Sequence, residues 1–219
     1  MKKSLLIPMI IFTLSMWLFL ATHCAVAENQ PKLSTKDAAQ LDATIETLRG
    51  KIAENDQDFE SFKQLGIVYH MKAVANAKTY APLAVDALTR ARELDKRDTE
   101  VLCYLGSATT MLAKTTFNPV KKMGFVNKGT GYMDKAVSQS PDNVTVRLTR
   151  AQNAMRLPAF LNRQSFALID LEHLSKMIDK NPEQYASIKQ GVYADLSKLY
   201  DKNGDPEKAA LYRQKAAGQ

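Results

Sequence analysis

The sequence predicts an all-α protein made of antiparallel helical hairpins stacked as a short solenoid. Three observations predict it. No segment alternates apolar and polar residues long enough to make a strand, and no two-residue hairpin turn joins such segments. Apolar residues recur instead at three- and four-residue spacing, the period of a helix face. A template of small and bulky residues also recurs along the chain, as it does in stacked repeats.

The first element reads as an export signal. Lys2 and Lys3 precede an apolar run from Leu5 to Ala21, and Ala25-Val26-Ala27 follows just before Glu28. A basic flank, an apolar run and an A-x-A site together describe a secretory signal peptide over residues 1–27, cleaved after Ala27. The run falls short of the roughly 20 residues of a spanning helix, and Pro8 interrupts it. Lipidation at Cys24 is disfavoured, because His23 stands where a small residue is required. The expected location is therefore periplasmic or secreted, with membrane contact only through the signal segment before cleavage. Cys103 alone remains after cleavage. It can form no internal disulfide and reads as a small buried apolar residue.

Residues 28–57 form a linker and a capping helix. Ser34-Thr35-Lys36-Asp37 supplies an N-cap with early acidic charge. Leu41, Ile45, Leu48 and Ile52 then form one apolar stripe.

The repeat domain covers 58–219. Its last stretch is the cleanest: Tyr193, Leu196, Ser197, Tyr200, Ala209 and Ala216 fall at relative positions 4, 7, 8, 11, 20 and 27. Asn203-Gly204-Asp205-Pro206 makes the turn, with Pro206 near the start of the second helix, where its missing N–H costs nothing. The same template fits Phe62, Leu65, Gly66, Tyr69, Ala84, Leu88 and Ala91, and again Leu102, Leu105, Gly106, Thr109, Gly129, Met133 and Ala136. Both of these copies carry insertions between their helices. A further copy matches at Ala151, Ala154, Ala167 and Leu171, and sets Arg147 and Arg150 where apolar residues belong. Small residues let paired helices approach closely; bulky ones fill the space between hairpins, which cannot bury their faces alone.

This pattern resembles the tetratricopeptide-repeat superfamily over roughly residues 58–217. The resemblance implies a scaffold for a protein or peptide and no particular reaction. It also implies a groove lined by the first helix of each hairpin, here Lys63, Ile67, His70 and Met71, then Ser107, Thr110 and Met111. Basic, polar and methionine side chains suit an adaptable peptide seat.

Charge is unevenly distributed. Residues 101–169 hold nine Lys/Arg against only Asp134 and Asp142, whereas 28–100 and 170–219 are nearly balanced. Lys121, Lys122, Arg147, Arg150, Arg156 and Arg163 are therefore candidates for an anionic or acidic partner. The alternative is that Arg147 and Arg150 pair with acids inside the fold.

Chemistry-bearing motifs are not evident. Gly124 to Thr130 has glycines and a lysine but no strand leading into it, so it is not expected to cradle phosphate. His70, His173 and Cys103 lack metal-ligand spacing, and no G-x-S-x-G elbow occurs. The expectation is no catalysis, no metal and no cofactor. Export argues against a nucleic-acid partner despite the basic balance. The leading reading is an exported scaffold that binds a protein or peptide; the basic middle would suit an acidic one. The alternative is a small-molecule or anion-binding accessory protein of an envelope transporter, which a closed, ligand-sized pocket would favour.

Overall fold

A computed structural model describes residues 35–218. The export signal 1–27, with Cys24 and the Ala27 boundary, and the linker up to Ser34 lie outside the described residues. Those described are almost wholly helical, with no strand among them. Helix α1 spans Thr35–Glu54, and four antiparallel hairpins follow. They are α2 (Phe59–Ala75) with α3 (Ala77–Leu94), α4 (Thr99–Met111) with α5 (Pro119–Gln139), α6 (Val144–Arg156) with α7 (Gln164–Lys180), and α8 (Ala186–Lys202) with α9 (Pro206–Ala216).

Local sequence sets each start. Asp58, Asp98 and Asn143 each stand one residue before a first helix and accept the backbone N–H three residues on. Each satisfies a donor that the helix leaves orphaned. Asn118 caps α5 and Asp205 caps α9, both with proline at the first helical position. Gly204 supplies the positive φ of 78° that the last turn needs.

The insertions behave differently from long loops. In the first hairpin the extra residues extend the helices, leaving the single residue Asn76 to end α2 and cap α3. In the second, a 3-10 turn at Leu112–Thr115 and a long α5 take up the length.

Each second helix packs on the next first helix, and first helices α2, α4 and α6 lie side by side. Leu48, Leu65, Tyr69 and Leu88 anchor the core between α1 and α4. Leu171, Leu174, Val192 and Leu196 anchor that of α6 to α9. Leu102, Cys103, Met133 and Val146 join the two. The Cys103 thiol is fully buried and donates to the Val146 carbonyl at 3.4 Å; burial pushes its pKa up. Helices α4 and α5 cross glycine on glycine. A Cβ on Gly106 would meet the Gly129 carbonyl oxygen at 2.6 Å, so larger side chains are excluded from the contact. The lysine-containing segment Gly124 to Thr130 is continuous helix within α5, not a phosphate loop.

Candidate functional site

The residues expected to line a first-helix groove do not form an open one. His70, Ser107, Thr110 and Met111 are buried: α6 packs across Ser107 and Thr110 on α4, and Met111 packs with Ala73, Ala77 and Ala81 of the first hairpin. The polar members make a seam across three helices. The Asn153 amide donates to Ser107 Oγ at 3.2 Å and to Thr110 Oγ1 at 2.6 Å. The Thr110 hydroxyl in turn donates to the Ser107 carbonyl at 2.7 Å. The Ser107 hydroxyl also shares a hydrogen bond with His70 Nε2, 2.8 Å away. Burial, with the charge of Arg156 nearby, holds the His70 pKa down to about 4, so its imidazole is neutral at ordinary pH. Lys63 pairs with Asp98 at 2.8 Å and Glu100 at 3.1 Å. Burial pulls its pKa down, but the two carboxylates outweigh burial and leave it raised. Of the seven, Met71, 45 % exposed, reaches the surface, and Lys63 and Ile67 do so in part.

The basic candidates also separate. Asp170, fully buried on α7, accepts from Arg147 at 2.8 Å and from Arg150 at 2.7 and 2.8 Å. Asp134 on α5 accepts from Arg150 at 3.1 Å and from Arg163 at 2.6 and 3.0 Å. Arg163 lies over the Phe166 ring at 3.7 Å. Burial alone would lower the Arg150 pKa, but Asp170 and Asp134 more than compensate and raise it. The anion-patch expectation is therefore corrected for Arg147, Arg150 and Arg163: their forks are occupied within the protein. They can stand at template positions meant for apolar residues because α7 brings a carboxylate to meet them. Lys121, Lys122 and Arg156 are exposed.

A concavity lies elsewhere, between second helices α3 and α5. It is an open cleft of about 420 Å³, floored by Leu105 and Thr109 of α4. Val85, Thr89 and Arg92 of α3, with Lys96 just beyond it, form one wall; Lys128 and Tyr132 of α5 form the other. The repeat template explains why it exists. Position 11 fills the space between hairpins, and it is Tyr69 in the first hairpin and Tyr200 in the last. In the second it is Thr109, whose short side chain turns its hydroxyl back to the Leu105 carbonyl at 2.7 Å. The space an aromatic ring would occupy stays open. Among the described residues no carboxylate lies within 4 Å of the cationic groups of Arg92, Lys96 or Lys128, and the one carboxylate in the lining, Glu93, pairs with Arg90 at 3.2 Å. The cleft is thus apolar below and cationic at its rim. Sequence reasoning missed it, although threonine in the place of an aromatic was a readable signal.

No family model and no curated protein matches the chain. Solved structures do. The chain is similar to TTC0263, a thermophilic TPR protein of Thermus thermophilus, at 18% identity and a TM-score of 0.63, over 83% of this chain and 84% of that one. It is also similar to two crystal structures of MamA, each at 16% identity. One has a TM-score of 0.53 over 85% of this chain and 94% of that one, the other 0.50 over 83% of each. The fold is tetratricopeptide-like.

Proposed function

We propose that this protein is an exported, non-enzymatic scaffold that binds an acidic segment of a partner protein in the cleft between α3 and α5. The observation that carries the proposal is the cleft itself, an apolar floor under three cations that meet no carboxylate among the described residues. Such a seat takes apolar side chains below and carboxylates at the rim; Arg92 Nη1 donates to the Lys96 carbonyl at 3.3 Å, and the remaining N–H groups of its guanidinium can meet a carboxylate. The cleft is open to solvent, which suits an extended chain better than an enclosed small molecule. A helical-repeat fold and the absence of any recognisable catalytic motif in the sequence support the scaffold reading. The export reading rests on the sequence of residues 1–27.

The test is capture from the native envelope, comparing the wild type with a variant carrying Arg92→Glu, Lys96→Glu and Lys128→Glu. The wild type, recovered with Glu28 at its N-terminus, is expected to retain a partner that high salt releases. The triple variant should lose that partner at an unchanged melting temperature. Thr109→Tyr, which fills the cleft without changing charge, should also lose it. Capture undiminished in both variants would defeat the proposal.

A further inference from the structure

We infer that the tip of the second hairpin, around Phe117, Val120, Lys121 and Lys122, docks the protein on a lipid bilayer bearing anionic headgroups. The inference is independent of the α3–α5 cleft and uses other residues.

The tip lies at the end of the hairpin, with Pro119 ten residues before Gly129, where α5 crosses α4. Phe117 is 99 % exposed, Val120 78 % and Met123 38 %. They are three of the seven exposed large apolar side chains among the described residues and fall within seven consecutive positions. Apolar exposure so concentrated marks an interaction surface. Lys114, Lys121 and Lys122 flank them and are exposed. No acidic residue occurs between Glu100 and Asp134.

The adjacent tip repeats this chemistry. The turn between α6 and α7 lies at the same end of the solenoid, because α4 and α6 run side by side in the same direction. It carries Phe160, 78 % exposed, beside exposed Arg156. No acid occurs from Asn143 to Ile169. The turn of the last hairpin differs: Asp201, Asp205 and Glu207 surround it.

Exposure and charge together select the occupant. A protein partner would need a pocket matched to these side chains. A bilayer needs none: it is soft, anionic at its surface and apolar a few ångström below. Phenylalanine and valine enter the acyl boundary while lysine stems reach back to the phosphates. Each lysine adds attraction to an anionic leaflet.

The test uses the protein as recovered from exporting cells, with vesicles of phosphatidylcholine alone or mixed with phosphatidylglycerol. Cosedimentation is expected only with the anionic vesicles, and should weaken as salt rises. Lys121→Gln with Lys122→Gln should reduce partition on the order of tenfold or more, and Phe117→Ser with Val120→Ser should reduce it comparably. All variants share the wild-type N-terminus, so the difference reports the tip. A Phe117→Trp variant reads insertion directly, with the wild type as blank because the chain's one tryptophan is Trp17. Its emission should shift to the blue and be quenched by brominated acyl chains. The triple cleft variant should still bind vesicles. Wild-type affinity in both tip variants, or unshifted emission from vesicle-bound Phe117→Trp, would overturn the inference. Capture of a protein through the tip with no vesicle binding would also overturn it.

Discussion

Replacing Asp170 by asparagine leaves the side chain's shape and removes the charge on which Arg147 and Arg150 converge. Asp170 is completely buried and accepts three hydrogen bonds at 2.7 to 2.8 Å. The asparagine amide would turn donor hydrogens toward guanidinium donors. Two arginines, each less than one-tenth exposed, would be left with their charge uncompensated on that side. Breaking a buried pair by removing one partner costs about 3–5 kcal/mol, against a total stability of about 5–15 kcal/mol for an ordinary domain. For a domain of this size each kcal/mol moves the melting temperature by about 2–4 °C, so a fall of about 6–20 °C is expected. Thermal melting followed by far-ultraviolet circular dichroism measures it. Asp42→Asn is the control: Asp42 pairs with Lys72 but is 61% exposed, and such pairs contribute little. If Asp170→Asn melts within about 2 °C of the wild type, the arginines do not depend on their internal partner. The correction to the anion patch would then fail.

Two further outcomes follow from the same packing. Gly106→Ala should destabilise by about 1–3 kcal/mol, because its Cβ would press on the Gly129 carbonyl oxygen, which cannot move aside, as well as on Met133. Gly124→Ala, with open space around its Cβ position, should be neutral or slightly stabilising, and paired denaturant titrations check both. His70 predicts a pH dependence. Its pKa is near 6.5 unfolded and is held to about 4 in the fold by burial and by Arg156. Between these values the unfolded chain binds more protons, so stability falls as pH drops from about 6.5 to about 4, by a total on the order of 3 kcal/mol. Above this window His70 contributes no pH dependence. The His70→Gln variant should lose this component of the pH profile, and an unchanged profile would contradict the assignment.

Much of the fold was legible because hairpin packing constrains particular positions. Gly66 and Gly106 lie at close helix contacts, where an added Cβ would collide with Leu88 or the Gly129 backbone. The Asn203–Pro206 turn could be read from its residue types alone. The register of the third hairpin was less visible, because Arg147 and Arg150 break the apolar template. The caps would have fixed it: Asp58, Asp98 and Asn143 stand at one point of three successive repeats. The fate of the basic middle was not legible, since Asp170 is 20 and 23 residues from its arginines and no local spacing pairs them. The groove expectation failed for a related reason. A consensus array leaves the first-helix face open, whereas here α6 lies across Ser107 and Thr110 and a polar seam fills the interface.

The most direct test of the scaffold reading places a photo-crosslinking amino acid at Thr89, on the wall of the α3–α5 cleft, and irradiates the protein in its native envelope. A discrete adduct with one partner is expected, attached at a segment rich in aspartate or glutamate, and lost when Arg92, Lys96 and Lys128 are reversed in charge. No such adduct is expected from the same amino acid at exposed Lys180 on α7. Adducts from Lys180 matching those from Thr89, or none from Thr89 while the protein is demonstrably partner-bound, would contradict it.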